Sequence, residues 1–337
     1  MKAADIKNIC AVGAGAMGST TALCFAMAGY KVWLYDLTEV SLASGLKNIH
    51  ATLKAFQKHN LIQESEILGI LGRVKTTALL EEAAQGADFV IESVFENLEV
   101  KQKIFATLDK LCPPHTLFAT NTSGLSPTKI AEPVTRKDKF VVTHFWNPAH
   151  LIPLVEVVPG EHTSEDTLDI ACELMLSLGK KPVRLKRELP GFIGNRLQLA
   201  LLREAFHLLS LGVASAEDID VVVKYSLGRR LSETGPFESA DLGGLDVFKN
   251  IFSYLGKDLG NETSIPEPLV KAVEAGNLGA KTGEGLYKWP TDKLSDLKQR
   301  RENRLFEHLK EDRDQESSDQ TSSLGHTQRQ DRSIGKK

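Results

Sequence analysis

The sequence predicts an α/β fold, a doubly wound, mostly parallel sheet followed by an all-helical domain. Three observations carry this prediction. Short β-branched runs alternate with longer helical stretches from Ile6 to about Lys186, the pattern of βαβ units. A glycine-rich turn, Gly13-Ala-Gly-Ala-Met-Gly18, stands between the first run and the first helical stretch. After Pro190-Gly191 strand signals almost vanish.

The predicted strands are Ile9 to Val12, Val32 to Asp36, Phe89 to Glu92, Thr116 to Thr120, Phe140 to His144, Leu154 to Val158 and Pro182 to Leu185. Between the second and third lies a polar excursion, Thr38 to Ala87, too long for a simple crossover. It reads as two helical stretches and a further strand-like run at Arg73 to Thr76. The first domain is therefore placed at 1–188, with a helical insertion at about 38–73, and a helical domain at 189–291. Phe192 to Leu211 is apolar nearly all round, more than one small domain buries, and predicts a homodimer interface; the alternative is a central core helix. From Asp292 the chain is charged and poor in apolar residues, which predicts a disordered tail at 292–337 that the fold does not need.

The 337 residues carry a formal net charge of -3, so no global field gathers nucleic acid, and any anion must be held by local features. No run of 18 uncharged apolar residues suggests a membrane span. Cys10, Cys24, Cys112 and Cys172 form no C-x-x-C pair and have no His at metal spacing, which argues against a disulfide framework and a zinc site. The start is polar and lacks a signal-like apolar region, so the protein reads as cytosolic.

Gly13, Gly15 and Gly18 form G-x-G-x-x-G in the strand–turn–helix context that such a motif requires. The turn needs φ freedom, and a pyrophosphate must approach the backbone at the helix N-terminus. Ala14, Ala16 and Ser19 keep that approach open. Asp36 ends the next strand, where a carboxylate accepts hydrogen bonds from ribose hydroxyls and repels a 2′-phosphate; the predicted cofactor is NAD rather than NADP.

In an open α/β sheet the reactive groups stand at the carboxyl ends of the strands. Glu92 to Asn97, Asn121-Thr-Ser-Gly124 and His144-Phe-Trp-Asn-Pro148 supply polar residues there. Oxidising a secondary alcohol requires a group to take the hydroxyl proton, and histidine titrates nearest neutral pH. His144 closes its strand. Glu156 lies on the same strand face as Leu154 and Val158, where a carboxylate is costly unless paired, and an imidazole is the natural partner. A structural histidine and an edge-strand acid are the alternative. Ser123 sits in an ordinary turn composition, and Asn195 in a very apolar helix where a backbone partner would serve it equally well.

Taken together, the motifs resemble the L-3-hydroxyacyl-CoA dehydrogenase family from about Ile6 to Trp289. The matching stretches include Val12-Gly-Ala-Gly-Ala-Met-Gly18, Glu96-Asn-Leu-Glu-Val-Lys101, Thr120-Asn-Thr-Ser123, His144-Phe-Trp-Asn-Pro148, Pro153-Leu-Val-Glu-Val-Val158, Pro190-Gly-Phe-Ile-Gly-Asn-Arg196 and Lys281-Thr-Gly-Glu-Gly285. The resemblance implies a Rossmann-like domain with a helical hairpin inserted after the second strand, then a helical dimerisation domain. It implies a His144–Glu156 catalytic pair, with Ser123 and Asn195 contacting the reacting oxygen and acyl group. It places NAD against Gly13, Gly15, Ala16, Met17, Gly18, Asp36, Glu96, Lys101, Ser123, Asn147 and Lys281.

The substrate so implied is an acyl-CoA thioester, oxidised at C3 from hydroxyl to ketone. In the inserted hairpin, Lys47, His50, Lys54 and Lys58 recur at helical spacing as a basic stripe suited to the phosphates of CoA, while Ile49, Leu53 and Phe56 face the core. The family's CoA contacts in this hairpin carry over to Thr52 and to His59, beside Lys58. Two departures bear on substrate: Gly124 where relatives often carry Ser, and Trp146 where a Phe is usual. Other stretches resemble the branch with lambda-crystallin, L-gulonate 3-dehydrogenase and carnitine dehydrogenase, which predicts a free 3-hydroxy acid instead, or a non-catalytic NAD-binding structural protein.

Overall fold

A computed structural model describes the backbone of residues 1–331 and the side chains of residues 1–315. Among the described residues the strands are β1 (Asn8–Val12), β2 (Lys31–Tyr35), β3 (Val74–Thr77), β4 (Phe89–Glu92), β5 (Leu117–Thr120), β6 (Phe140–Phe145), β7 (Leu154–Pro159) and β8 (Lys181–Arg184). They form one sheet in the order β3-β2-β1-β4-β5-β6-β7-β8. Every neighbouring pair is parallel except β6 and β7. The chain builds outward from β1 to β3 and then returns to lay β4 on the other side of β1. That reversal opens the crevice in which such sheets bind ligands.

In unit 1 helices cover both faces, which is why the inner strands β1 and β4 to β7 are nearly continuous apolar runs. The alternation of a strand's side chains divides β1 between two cores. Ile9 and Ala11 pack with Leu23, Ile49, Leu53 and Phe56, and Cys10 and Val12 with Phe105, Leu108 and Ile130. The helices of unit 1 are α1 (Ala16–Met27), α2 (Glu39–Lys58), α3 (Glu64–Leu71), α4 (Leu80–Ala84), α5 (Leu98–Leu111), α6 (Pro127–Ile130) and α7 (Glu165–Ser177). Helices α2 and α3 are the inserted hairpin. Thr38 starts α2 by accepting a hydrogen bond from the Ser41 amide at 3.1 Å, and the buried residues Ile49, Leu53 and Phe56 give it its core stripe.

The chain divides into two compact units, Gly194–Arg300 and the remainder. The second unit holds α8 (Gly194–Ser210), α9 (Ala216–Tyr225), α10 (Leu227–Arg230), α11 (Pro236–Gly243), α12 (Leu245–Leu255) and α13 (Glu267–Glu274). Within it, Glu204 on α8 accepts from the Gly260 amide at 2.8 Å, and His207 meets Glu262 at 2.8 Å. Among the described residues no helix is long and apolar enough to cross a membrane.

The expected disordered tail is corrected by the structure. Residues from Thr291 form one helix, α14 (Thr291–Asp331), whose part beyond Arg301 belongs to the first unit; residues 332–337 of the predicted tail lie outside the described residues. Phe306 is only 1% exposed. Its ring stacks on His59 at 4.1 Å and meets Phe56 edge-on at 5.2 Å. Leu305 and Leu309 pack beside it, Asp312 pairs with Lys181 at 2.8 Å, and Arg313 donates to the Leu61 carbonyl at 3.2 Å. Composition misled here because the average over the segment is strongly polar. Docking needs only one short apolar face, and Leu305, Phe306 and Leu309 supply it at helical spacing.

Candidate active site

The glycine turn lies at the carboxyl end of β1. Gly13 has φ of 101°, and a side chain there would press within 2.8 Å of the Ser93 carbonyl that follows β4. A side chain at Gly18 would strike the Gly13 carbonyl, so α1 packs against the turn only with glycine there. Gly15 differs, since an added Cβ would meet nothing within 4 Å. Its open side adjoins the first turn of α1, Ala16-Met17-Gly18, where backbone amides have no carbonyl of an earlier helical turn to bond. Asp36 follows β2 and accepts from the Ala14 amide at 2.7 Å and the Leu37 amide at 2.8 Å, which fixes its carboxylate beside the turn. An open cradle, a helix N-terminus and a fixed acid fit a dinucleotide.

A second cluster forms where β4 and β5 end. Glu92, fully buried, accepts from the Lys101 ammonium at 2.7 Å, from Thr120 at 2.6 Å and from the Val94 amide at 2.7 Å. Lys101 is 1% exposed and also meets Glu96 at 3.3 Å. Glu96 in turn accepts from the Ser123 amide at 2.8 Å and from the Thr122 hydroxyl. The ammonium of Lys101, assigned a cofactor contact by resemblance, here faces two carboxylates and holds the loop that carries Glu96 and Ser123. Glu92 was counted in the sequence among the polar residues at the strand ends, but its pairing with Lys101 was passed over. Its signal was an acid ending an apolar strand, nine positions before a lysine in the first turn of α5.

The third cluster forms on β6 and β7. Because these strands are antiparallel, His144 and Glu156 are direct cross-strand partners. The His144 Nδ1 lies 2.9 Å from the Glu156 Oε2, and both residues are buried, at 5% and 1% exposure. The same Oε2 accepts from the Trp146 indole at 3.3 Å, while Oε1 accepts from the Ile193 amide at 2.8 Å. The Trp146 and Phe192 rings lie 5.5 and 5.6 Å from the imidazole. Asn121 holds the end of β6 in place, accepting from the Phe145 amide at 2.7 Å and donating to Ser93 at 3.3 Å. With Nδ1 turned to the carboxylate, Nε2 is the nitrogen left for a substrate. Trp146, a departure from the usual residue, thus has a role the sequence did not announce, as a donor to the Glu156 oxygen that also meets His144. Gly124 is explained too: a side chain there would come within 3.2 Å of the Gly191 amide.

The other expected site residues are spread over both units. Ser123 and Asn147 are exposed on their loops. Asn195, in the first turn of α8, and the exposed Lys281 belong to the second unit. On the hairpin, Lys47, His50, Lys54 and Lys58 form the exposed stripe foreseen, with Lys54 bound to Glu64 at 3.3 Å. Thr52 is 7% exposed, and one ring face of the half-buried His59 stacks on Phe306.

Residues 8–188 match the family described as 3-hydroxyacyl-CoA dehydrogenase, NAD binding domain, and residues 191–289 match its C-terminal domain. A 5-formyl-3-hydroxy-2-methylpyridine 4-carboxylate 5-dehydrogenase of Mesorhizobium japonicum is 33% identical over 89% of this chain and 96% of its own length. A probable 3-hydroxybutyryl-CoA dehydrogenase of Bacillus subtilis is 39% identical over 84% and 97%. A crystal structure of the pyridine-carboxylate enzyme, described as an NAD+ dependent dismutase, superposes with a TM-score of 0.84 at 32% identity, covering 89% of this chain and 96% of that one.

Proposed function

The chain belongs to the 3-hydroxyacyl-CoA dehydrogenase family, and from that premise we propose that it interconverts an L-3-hydroxyacyl-CoA and the 3-ketoacyl-CoA, with His144 moving the proton. It is an NAD-dependent oxidoreductase acting on a CH-OH group. The observation that carries the assignment of His144 is its 2.9 Å contact with Glu156. NAD, when bound, supplies the hydride acceptor or donor. In the oxidative direction the His144 Nε2 takes the hydroxyl proton, and in reduction returns it. Glu156 holds the tautomer with the proton on Nδ1 and stabilises the imidazolium that forms. Its own position is fixed by Trp146 and by the Ile193 amide. Glu96, held by Lys101, orients the Ser123 loop toward cofactor and substrate. The Gly13–Gly18 turn takes the pyrophosphate and Asp36 the ribose.

A second reading, a free hydroxy acid as substrate, is favoured by the packing of His59 beneath Phe306 and by the likeness to the pyridine-carboxylate enzyme. The test is a panel of 3-hydroxyacyl-CoA thioesters and the matching free acids, followed by NADH absorbance. Turnover of thioesters alone supports the first reading, turnover of free acids alone the second, and no turnover with any member sinks both. We also place the enzyme in the cytosol as a homodimer. Four free thiols accord with a reducing compartment, and exposed Leu197, Leu199, Leu201 and Leu202 on α8 accord with a second copy.

A further inference from the structure

A cavity of about 500 Å³ lies in unit 1, walled by the end of α1, the α2–α3 hairpin, the β6–β7 connection, the start of β8 and α14. Its size is that of a small-molecule site. One wall is apolar, with Phe56, Ile62 and Leu309. The polar side is built from groups whose charges are not balanced.

Lys180 is 6% exposed. Its ammonium donates to the Ala149 carbonyl at 2.5 Å and the Ile152 carbonyl at 3.0 Å, and among the described residues no carboxylate pairs with it. Arg73 likewise donates to a carbonyl, that of Ala26 at 3.1 Å, with no carboxylate partner among the described residues. The two acids on the cavity wall are committed elsewhere: Asp312 pairs with Lys181, and Glu66 caps its own helix through the Gln63 amide at 2.7 Å. The Nδ1 of His150, also on the wall, is buried and has no hydrogen-bond partner. Burial, with the Lys180 cation adding to it, pushes this imidazole down to about 4, so it is neutral at neutral pH. A buried cation satisfied only by carbonyls still lacks a counter-charge, and an orphaned ring nitrogen lacks a partner. Both residues line the same cavity.

We propose that this cavity is a binding site, separate from the His144 centre, for a small monoanion whose carboxylate meets Arg73, Lys180 and His150 and whose apolar body lies against Phe56, Ile62 and Leu309. The ligand class follows from the wall: an anionic head meets the two cations that lack a carboxylate, and the opposite face demands hydrocarbon or ring. Because α14 supplies Leu309, the occupant also bridges the C-terminal helix to the sheet, and its binding raises the stability of the docked helix by mass action.

The test uses the full chain, with octanoate as probe and octanamide as its uncharged counterpart, read by calorimetric titration and by the shift in thermal unfolding. Saturable octanoate binding is expected, with none for octanamide. Arg73→Gln should weaken it by about tenfold or more, as expected for loss of a charge-assisted bond, and Arg73→Lys should restore most of it. Leu309→Trp, which fills the cavity, should abolish it, with circular dichroism confirming that each variant is folded. His144→Ala should bind octanoate like the parent, because the site is not the redox centre. The proposal is overturned if the parent fails to bind octanoate, if octanamide binds equally, if folded Arg73→Gln and Leu309→Trp both bind like the parent, or if His144→Ala loses the probe.

Discussion

His144 and Glu156 stand directly opposite one another on antiparallel strands, with Nδ1 and Oε2 2.9 Å apart and both residues removed from solvent. The pair is held by the sheet itself rather than by a loop. Replacing His144 with Ala is therefore expected to lower kcat by about 10²- to 10⁴-fold while NADH binding, followed by fluorescence, is unchanged. Glu156→Gln should lower kcat too, because it keeps the hydrogen-bonding volume and removes the charge that steadies imidazolium. A parent-like rate for either folded variant would end the assignment of that residue.

The Glu92–Lys101 pair is buried on both sides, at 0% and 1% exposure. Lys101→Met leaves a carboxylate without its cation and is expected to cost roughly 3–5 kcal/mol in urea unfolding. The double variant Glu92→Leu, Lys101→Met should recover much of that loss, since the uncompensated charge is gone. If the single variant unfolds at the parent's midpoint, the pair does not anchor this loop.

Asp36 is already tied to the Ala14 and Leu37 amides. Asp36→Ser should weaken NAD and raise the relative kcat/KM for NADP, because a short hydroxyl removes the repulsion of a 2′-phosphate. Equal use of both cofactors by the unaltered enzyme would contradict this role.

Phe306 contributes a fully enclosed ring to the core of unit 1. Phe306→Ala should destabilise the protein by about 3–5 kcal/mol. A chain ended near Trp289 should behave likewise and expose Phe56 and His59. Differential scanning calorimetry settles the matter, and a midpoint unchanged by either alteration would mean that α14 adds no stability.

Asp109 governs an acid-sensitive contact. Burial raises its carboxyl pKa, but hydrogen bonds from Thr135 and Arg136, with the Arg136 charge, outweigh this and hold it below the usual value. A folded-state pKa below the unfolded one gives stability that is complete above the unfolded pKa and is lost as pH falls through the folded one. Asp109→Asn should thus narrow the stability difference between neutral and strongly acidic solution. Parallel urea midpoints for parent and variant across that range would refute it.

The central strands were legible in the sequence because unit 1 buries both sheet faces there and writes each as an apolar run, as Phe89 to Glu92 does. The glycine turn was legible because Gly13 and Gly18 answer steric demands that no other residue meets. His144 and Glu156 could be paired from their types and strand ends, but their register depends on β7 turning antiparallel, a long-range choice that no local pattern records. The partners of Glu92 and Trp146 were missed for the same reason: they lie 9 and 10 positions away on other elements. The docking of Phe306 on His59 spans still more of the chain, and mean composition hid it.

That docking also orders events in time. The second compact unit, Gly194–Arg300, is spliced into the sequence of the first, so the ring that completes the α2 core is translated after every residue of the helical unit. As chains emerge amino end first, the nascent sheet waits with Phe56 and His59 uncovered until more than a hundred further residues have left the ribosome. During biosynthesis the first domain to begin folding is thus the last to be finished, and that interval is when a chaperone has something to hold.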